Sequence, residues 1–190
     1  MKGRVAMFAY GSLVSPVSAA RTLGRPVPEP TAARLRGWRR RWSQFRDNRA
    51  VEKTFARRAD GSIPPHVLGL TIEPADGEAD APNGGLVEVS EEELRRLDIR
   101  EIRYDRIEVP AMAGFKRVFA YRAKPAHRGA RPPAGAVVIA AYLDQVESAF
   151  AALGDDQLRL FRETTGPPPV EVIDAVLVRD RIPPGNPREW

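Results

Sequence analysis

The chain contains no cysteine. Disulfides, thiolate metal sites and a cysteine nucleophile are therefore excluded, and the composition suits a reducing compartment. Histidine is almost as scarce. His66 follows a Pro-Pro pair, and His127 sits in a stretch rich in Lys, Pro, Arg and Gly. A His-based metal site needs more ligands at regular spacing, so no metal is expected. A Ser-His-Asp triad would need one of these two as its base, and neither has the neighbours for it. Both read as exposed loop histidines. Long apolar runs are missing as well. None approaches the roughly 20 residues of a membrane-spanning helix, so no membrane association is expected.

What is present, 190 residues of which 43% are hydrophobic, fits one domain with a proper core better than two. The net charge is +5 and the pI is near 10. Such a balance fits nucleic-acid binding or simply an arginine-rich proteome. Acidic and basic residues are interspersed, which favours a solvated surface over a binding arm. The start of the chain imitates a secretion signal, with Lys2 and Arg4, an apolar stretch over 5–14, and Val17-Ser18-Ala19-Ala20. Tyr10, Gly11 and Ser12 break that stretch at its centre. We read it as a first β-strand and expect a cytoplasmic protein.

Loops rich in Pro and Gly over 73–85, 124–135 and 166–169, and a proline-rich tail from Pro183, punctuate the chain. They are too short for interdomain linkers and too frequent for a helical bundle. Residues 5–10 form an apolar run of strand length. Ser15-Pro16 is an N-cap followed by proline at the first helical position, and Gly24 ends the helix. Residues 35–45 alternate around Trp38, Arg40 and Trp42 as a strand. Strands are expected over 66–72 and 85–89. Ser90 and Glu93 make a capping box, starting a helix that carries Leu94 and Leu97 on one face and ends near Arg100. Strands over 104–109 and 115–121, helices over 138–153 and 155–163, and a late strand over 170–178 complete the pattern. Six or seven strands with three or four helices predict an α+β fold around a curved or closed sheet.

Two segments carry chemistry. The first is Tyr10-Gly11-Ser12-Leu13, where a strand turns into a helix and exposes consecutive backbone N–H groups. Such donors suit a carboxylate or a developing oxyanion, and Gly11 lets backbone approach a ligand closely. An ordinary strand-to-helix turn would read the same. The second is Leu97-Asp98-Ile99-Arg100-Glu101 with Tyr104 beyond it. A glutamate between a capped helix and a strand is held from both sides, and burial in a cavity would raise its pKa toward the range useful for proton transfer. The alternative is a solvated glutamate paired with Arg100 or Arg103.

Taken together, these segments resemble the γ-glutamylcyclotransferase superfamily, including its glutathione-specific branch. The shared features run in order over roughly residues 5–155. They are the aromatic strand with its YGSL loop, the aromatic/Arg stretch Gly37-Trp38-Arg39-Arg40, and Leu68-Gly69-Leu70. LDxxE at Leu97 to Glu101, Tyr104 and Ala141-Tyr142-Leu143 follow. The resemblance implies one domain with a mixed, partly closed β-barrel and flanking helices. It implies a cofactor-independent enzyme acting on a small γ-glutamyl compound. There the substrate's α-amine attacks its own γ-carbonyl, closes 5-oxoproline and expels an amine, so that no serine, cysteine or metal is needed. By position, Glu101 is the general base and acid, Tyr10, Gly11, Ser12 and Leu13 hold the substrate, and Tyr104 and Tyr142 line the site. Ile102 stands where many relatives have glycine, and the 125–133 loop and the tail have no counterpart.

Glutathione, a γ-glutamyl amino acid, a γ-glutamylamine and a protected biosynthetic intermediate all fit as substrate, and the pattern sets no oligomeric state. A non-catalytic small-acid binder on the same fold is the nearest rival. Nucleic-acid binding through Arg34 to Arg49, with Trp38, Trp42 and Phe45 interleaved, is the rival from another class. A strand with tryptophans inward and arginines toward water or substrate carboxylates is the preferred reading of that stretch.

Overall fold

A computed structural model describes residues 3–188. Met1 and Lys2, part of the basic start, and Glu189 and Trp190, the end of the tail, lie outside the described residues. The elements are β1 (Val5–Ala9), α1 (Pro16–Leu23), β2 (Thr31–Arg34), β3 (Trp38–Asp47), β4 (Lys53–Arg57), β5 (His66–Pro74) and β6 (Asn83–Glu88). They continue with α2 (Glu91–Arg100), β7 (Tyr104–Val109), β8 (Arg117–Ala123), β9 (Ala136–Ile139), α3 (Ala140–Leu153), α4 (Asp155–Thr165), β10 (Val172–Ile173) and β11 (Ala175–Asp180). The fold is mixed α+β. Its strand orders are β2-β6-β1-β8-β7, β10-β9-β5-β3 and β11-β4. Among the described residues, no helix is long and apolar enough to cross a membrane.

The helices whose ends are written locally form where the pattern places them. Ser15 Oγ accepts from Ser18 N, Pro16 opens α1, and Gly24 closes it in the left-handed region at φ 75°. At α2, Ser90 Oγ accepts from Glu93 N while Glu93 returns a bond to Ser90 N. Caps of this kind contribute about 1 kcal/mol each. The strand count is a correction: eleven strands appear among the described residues, where six or seven were expected. β2 and β4 went unseen. The helix expected from residue 138 begins at Ala140, after the separate strand β9, and the late strand is two pieces, β10 and β11.

β1 is the centre of the first sheet. It pairs antiparallel with β6, Ala9 opposite Gly85, and parallel with β8, Val5 opposite Arg117. Met7 and Phe8 are buried, and Leu68, Leu70 and Ile72 of β5 join them with Leu94 and Leu97 of α2 in one core. Phe150 of α3 stacks on Phe161 of α4, centroids 4.6 Å apart.

Beneath that stack lies Arg40, 1% exposed. Its Nη1 donates to Tyr10 O at 3.1 Å and Asn83 O at 2.7 Å. Nη2 reaches Asn83 Oδ1 at 2.9 Å and Thr164 Oγ1 at 3.2 Å, and Nε reaches Thr165 Oγ1 at 2.7 Å. The guanidinium sits 4.4 Å from the Phe161 ring centroid and 5.0 Å from that of Phe150. For Arg40 this corrects the expectation of arginines facing water or substrate carboxylates. Arg40 shares its side of the strand with Trp42, also buried, which removes both from any surface on which bases would stack.

Close approach also fixes β6. A Cβ at Gly84 would overlap Ala9 O and stand 2.8 Å from the Phe8 ring. Gly84→Ala is expected to cost about 1–3 kcal/mol through this overpacking, read as a lowered urea midpoint. Wild-type stability in that variant would show that β1 and β6 can part at no cost.

Candidate active site

β1 stops at Ala9, and Gly11 leads into a single 3-10 turn over Ser12–Val14. The turn's own bonds run from Val14 N to Gly11 O at 3.0 Å and from Ser15 N to Ser12 O at 3.2 Å. The donors ahead of them, on Gly11, Ser12 and Leu13, are those that a helix start leaves without internal acceptors. A Cβ at Gly11 would point toward Tyr142 Oη, 3.6 Å away, and Leu70 Cδ1, 3.7 Å away. It would therefore narrow the space between the loop and those side chains.

That space is a cavity of about 390 Å³. Tyr10, Gly11, Ser12, Leu13, Glu101, Tyr104 and Tyr142 all line it, so every residue expected at the site from sequence stands on one wall or another of the same chamber. Glu101 caps α2: its N–H donates to Leu97 O at 2.8 Å, and Tyr104 N donates back to Glu101 O at 2.7 Å. The backbone is thereby fixed on both sides of the carboxyl. The side chain is only 17% exposed. Burial raises its pKa above the ordinary 4.5, and the Arg100 charge and hydrogen bond pull it back in part. Desolvation outweighs pairing here: the Arg100 partner of the alternative reading is present, but the glutamate is buried and not solvated.

Arg100 was expected only as a surface partner. It is 6% exposed and joins the two segments. Nε donates to Glu101 Oε1 at 3.1 Å, Nη1 to Thr22 Oγ1 at 2.7 Å, and Nη2 to Ser18 Oγ at 3.2 Å and Ser12 Oγ at 3.4 Å. The loop hydroxyl and the carboxyl thus share one guanidinium.

The tyrosines line the chamber, and Tyr10 and Tyr104 direct their protons at carbonyls. Tyr10 Oη donates to Tyr121 O, and Tyr104 Oη to Leu70 O at 2.8 Å. Tyr142 sets its ring edge-on to Trp42, centroids 6.2 Å apart. Burial drives the Tyr10 and Tyr104 hydroxyls well above the ordinary phenol range, with Glu101 adding to it, and burial pushes Tyr142 up to about 12. All three are neutral hydrogen-bonding groups at physiological pH. Gly69 is where these walls meet: a Cβ there would lie 2.6 Å from Gln44 Oε1 and 3.7 Å from Tyr104 Oη.

Sequence reasoning did not place Gln44, Arg46, Arg103 and Tyr121 at the cavity, yet all four line it. Tyr121 had a signal in the LDxxE motif, since its hydroxyl donates to Asp98 Oδ1 at 2.8 Å. The histidines need correction too. His66 opens β5, half-buried and edge-on to Phe45 at 6.2 Å, and His127 belongs to a 3-10 turn over Pro125–His127. Ile102 does not enter the cavity. It is 47% exposed, and its carbonyl accepts from Lys124 Nζ at 2.9 Å. Among the described residues, no three His, Asp or Glu side chains group as metal ligands.

No family model and no curated protein matches the chain. Among solved structures, the solution structure of At3g28950.1 from Arabidopsis thaliana is similar to 65% of this chain at 24% identity, with a TM-score of 0.39. The chain spans 64% of that protein's length. A likeness of that size leaves the meaning of the cavity to its own residues.

Arg100→Met is expected to raise the Glu101 pKa further, because removing the guanidinium leaves desolvation unopposed. Carboxyl-carbon NMR titration of Glu101 reads this directly. An unmoved or lowered value would mean that Arg100 does not govern the carboxyl.

Proposed function

We propose that this chain is a γ-glutamylcyclotransferase, converting the γ-glutamyl group of a small compound into 5-oxoproline with release of an amine or amino acid. The observation that carries the reading is the desolvated Glu101 carboxyl sharing a cavity with the Tyr10-Gly11-Ser12-Leu13 loop. The two segments whose resemblance suggested this activity lie far apart in sequence. Their contact through Arg100 is what the chemistry requires of them. The same reading takes the two larger sheets as a partly closed barrel, with Ala123 N of β8 donating to Thr71 Oγ1 of β5 at 2.8 Å across the seam. It also places the enzyme in the cytoplasm.

The reaction joins the substrate's own nitrogen to its own carbonyl carbon. Glu101, as carboxylate, takes a proton from the α-ammonium, and the freed amine attacks the γ-carbonyl. The N–C bond of the five-membered ring forms, Glu101 returns its proton to the leaving nitrogen as the bond to that nitrogen breaks, and the ring nitrogen gives up its second proton to the freed amine, which departs as an ammonium. An intramolecular nucleophile has a very high effective concentration once folded back, so the protein's task is to hold the bend. The loop N–H groups would receive the α-carboxylate and the carbonyl oxygen as charge gathers on it. Arg100 on the loop side adds a fixed positive charge for the same carboxylate.

A raised pKa suits a group that must both accept and donate. Only the ionised form starts the reaction, so kcat/KM is expected to fall as pH drops through the Glu101 pKa. That acid limb should lie above the 4.5 of an ordinary glutamate. Glu101→Gln is expected to lower kcat by about 10²- to 10⁴-fold while substrate still binds. 5-Oxoproline release from glutathione, γ-glutamyl-alanine and γ-glutamylamines measures both. A folded, active Glu101→Gln protein would sink the mechanism. Binding without release by the wild type would favour a small-acid-binding protein.

A further inference from the structure

β3 holds one residue too many opposite β5. Arg41 pairs with Thr71, but Gln44 pairs with Gly69. This bulge reverses the alternation of the strand, so Gln44 and Arg46 take the face that Arg40 and Trp42 do not. The 125–133 loop braces the bulge: Gly129 N donates to Ser43 O at 3.2 Å, and Gln44 bridges to Arg128. Arg46 is thereby turned into the cavity wall beside Phe55 and Val67.

Its charge is only partly offset there, by the nearby Glu52 and Asp47 carboxylates. Nη1 donates to Lys53 O at 2.9 Å and Asp47 O at 3.4 Å, which steadies the guanidinium through neutral carbonyls. Among the described residues, no carboxylate forms an ion pair with it. The Asp47 carboxylate is turned to Arg49 N at 2.5 Å and Ala50 N at 2.8 Å. Glu52 is held by Arg103 at 2.8 and 2.9 Å and also takes Arg188. Burial, with the like charge of Arg103 behind it, lowers the Arg46 pKa to about 10, which leaves it cationic at neutral pH.

Position along β5 says which part of a substrate it would meet. Arg46 pairs with Val67, three residues from Leu70, whose carbonyl receives the Tyr104 hydroxyl. At about 3.3 Å per residue that is roughly 10 Å of strand. A γ-glutamyl arm seated between the loop and Glu101 would direct its leaving half along this distance. We propose that Arg46 forms an anion subsite for that leaving half, so that the amine released carries a carboxylate. The inference rests on the cyclotransferase reading. Neutral γ-glutamylamines would leave a half-buried guanidinium with carbonyl partners and no anionic one, which selects against them.

The test compares γ-glutamyl-alanine with γ-glutamyl-alaninamide, which differ only in that charge. Wild type is expected to show a kcat/KM for 5-oxoproline release about 10- to 100-fold higher for the acid, the range of a charge-assisted hydrogen bond. Arg46→Met should lower the acid's value about 10- to 100-fold more than the amide's, and Arg46→Lys should recover part of the ratio. Arg46→Gln, which keeps a donor for Lys53 O, replaces Arg46→Met if that variant does not fold. Equal rates in the wild type, or an undiminished ratio in the folded variant, overturn the subsite. If wild type turns over neither compound, and releases no 5-oxoproline from glutathione either, the cyclotransferase reading loses its support by itself. Calorimetric titration of the same pair then decides the subsite: tighter binding of the acid that is lost in Arg46→Met supports it, and equal binding or none overturns it.

Discussion

A buried cation without a counter-charge holds this protein in register. Arg40 has been taken out of water, which costs several kcal/mol for an isolated ion, and no carboxylate among the described residues pairs with it. Its compensation comes from carbonyls, two threonine hydroxyls, the Asn83 amide and two phenylalanine faces. The hydrogen-bonding partners belong to the end of β1, the start of β6 and the last turn of α4, and the two rings to α3 and α4. Neutral dipoles spread over three segments satisfy the charge only if all three arrive together. The Tyr10 carbonyl is among them, so the loop at the cavity is set by the same requirement. Asn83 extends the network, its Nδ2 donating to Gln157 O at 2.8 Å and Gln157 Oε1 at 3.0 Å.

Two opposed effects of similar kind act on Glu101. Desolvation favours the neutral acid, and Arg100 favours the carboxylate. Because Arg100 divides its donors among Thr22, Ser18, Ser12 and Glu101, its charge is shared, and burial prevails. The surrounding tyrosines hardly alter that balance by donating to Glu101, since Tyr10 and Tyr104 give their protons to backbone oxygens. They act as walls that fix the shape of the chamber while one carboxyl titrates within it.

The parts legible in the sequence were those whose signal is local. Ser15-Pro16 with Gly24, and Ser90 with Glu93, state the ends of α1 and α2 within a few residues. Glu101 stood out through the LDxxE resemblance, at the point where α2 runs out. β9 was hidden because Ala136–Ile139 passes into α3 with no polar cap at Ile139, so one apolar run served two elements. β2 is mostly exposed and shows no alternation. β4 buries Lys53, whose ammonium pairs with Asp180 at 3.6 Å from the far end of the chain. No local pattern announces such a lysine as interior. Arg40 departs from the expected pattern because its burial depends on α4, and the aim of Arg46 into the cavity depends on a bulge that only pairing with β5 reveals.

β1 lies between a strand that begins at Asn83 and one that begins at Arg117. During synthesis at about 5–20 residues per second, the first strand would wait on the order of 10 s for its second neighbour to be made. In that interval Ala6, Met7 and Phe8, all destined for the interior, belong to a strand that has no partner until β6 is made and one open edge until β8 is made. The assembly of such a topology is committed only once β8 has emerged.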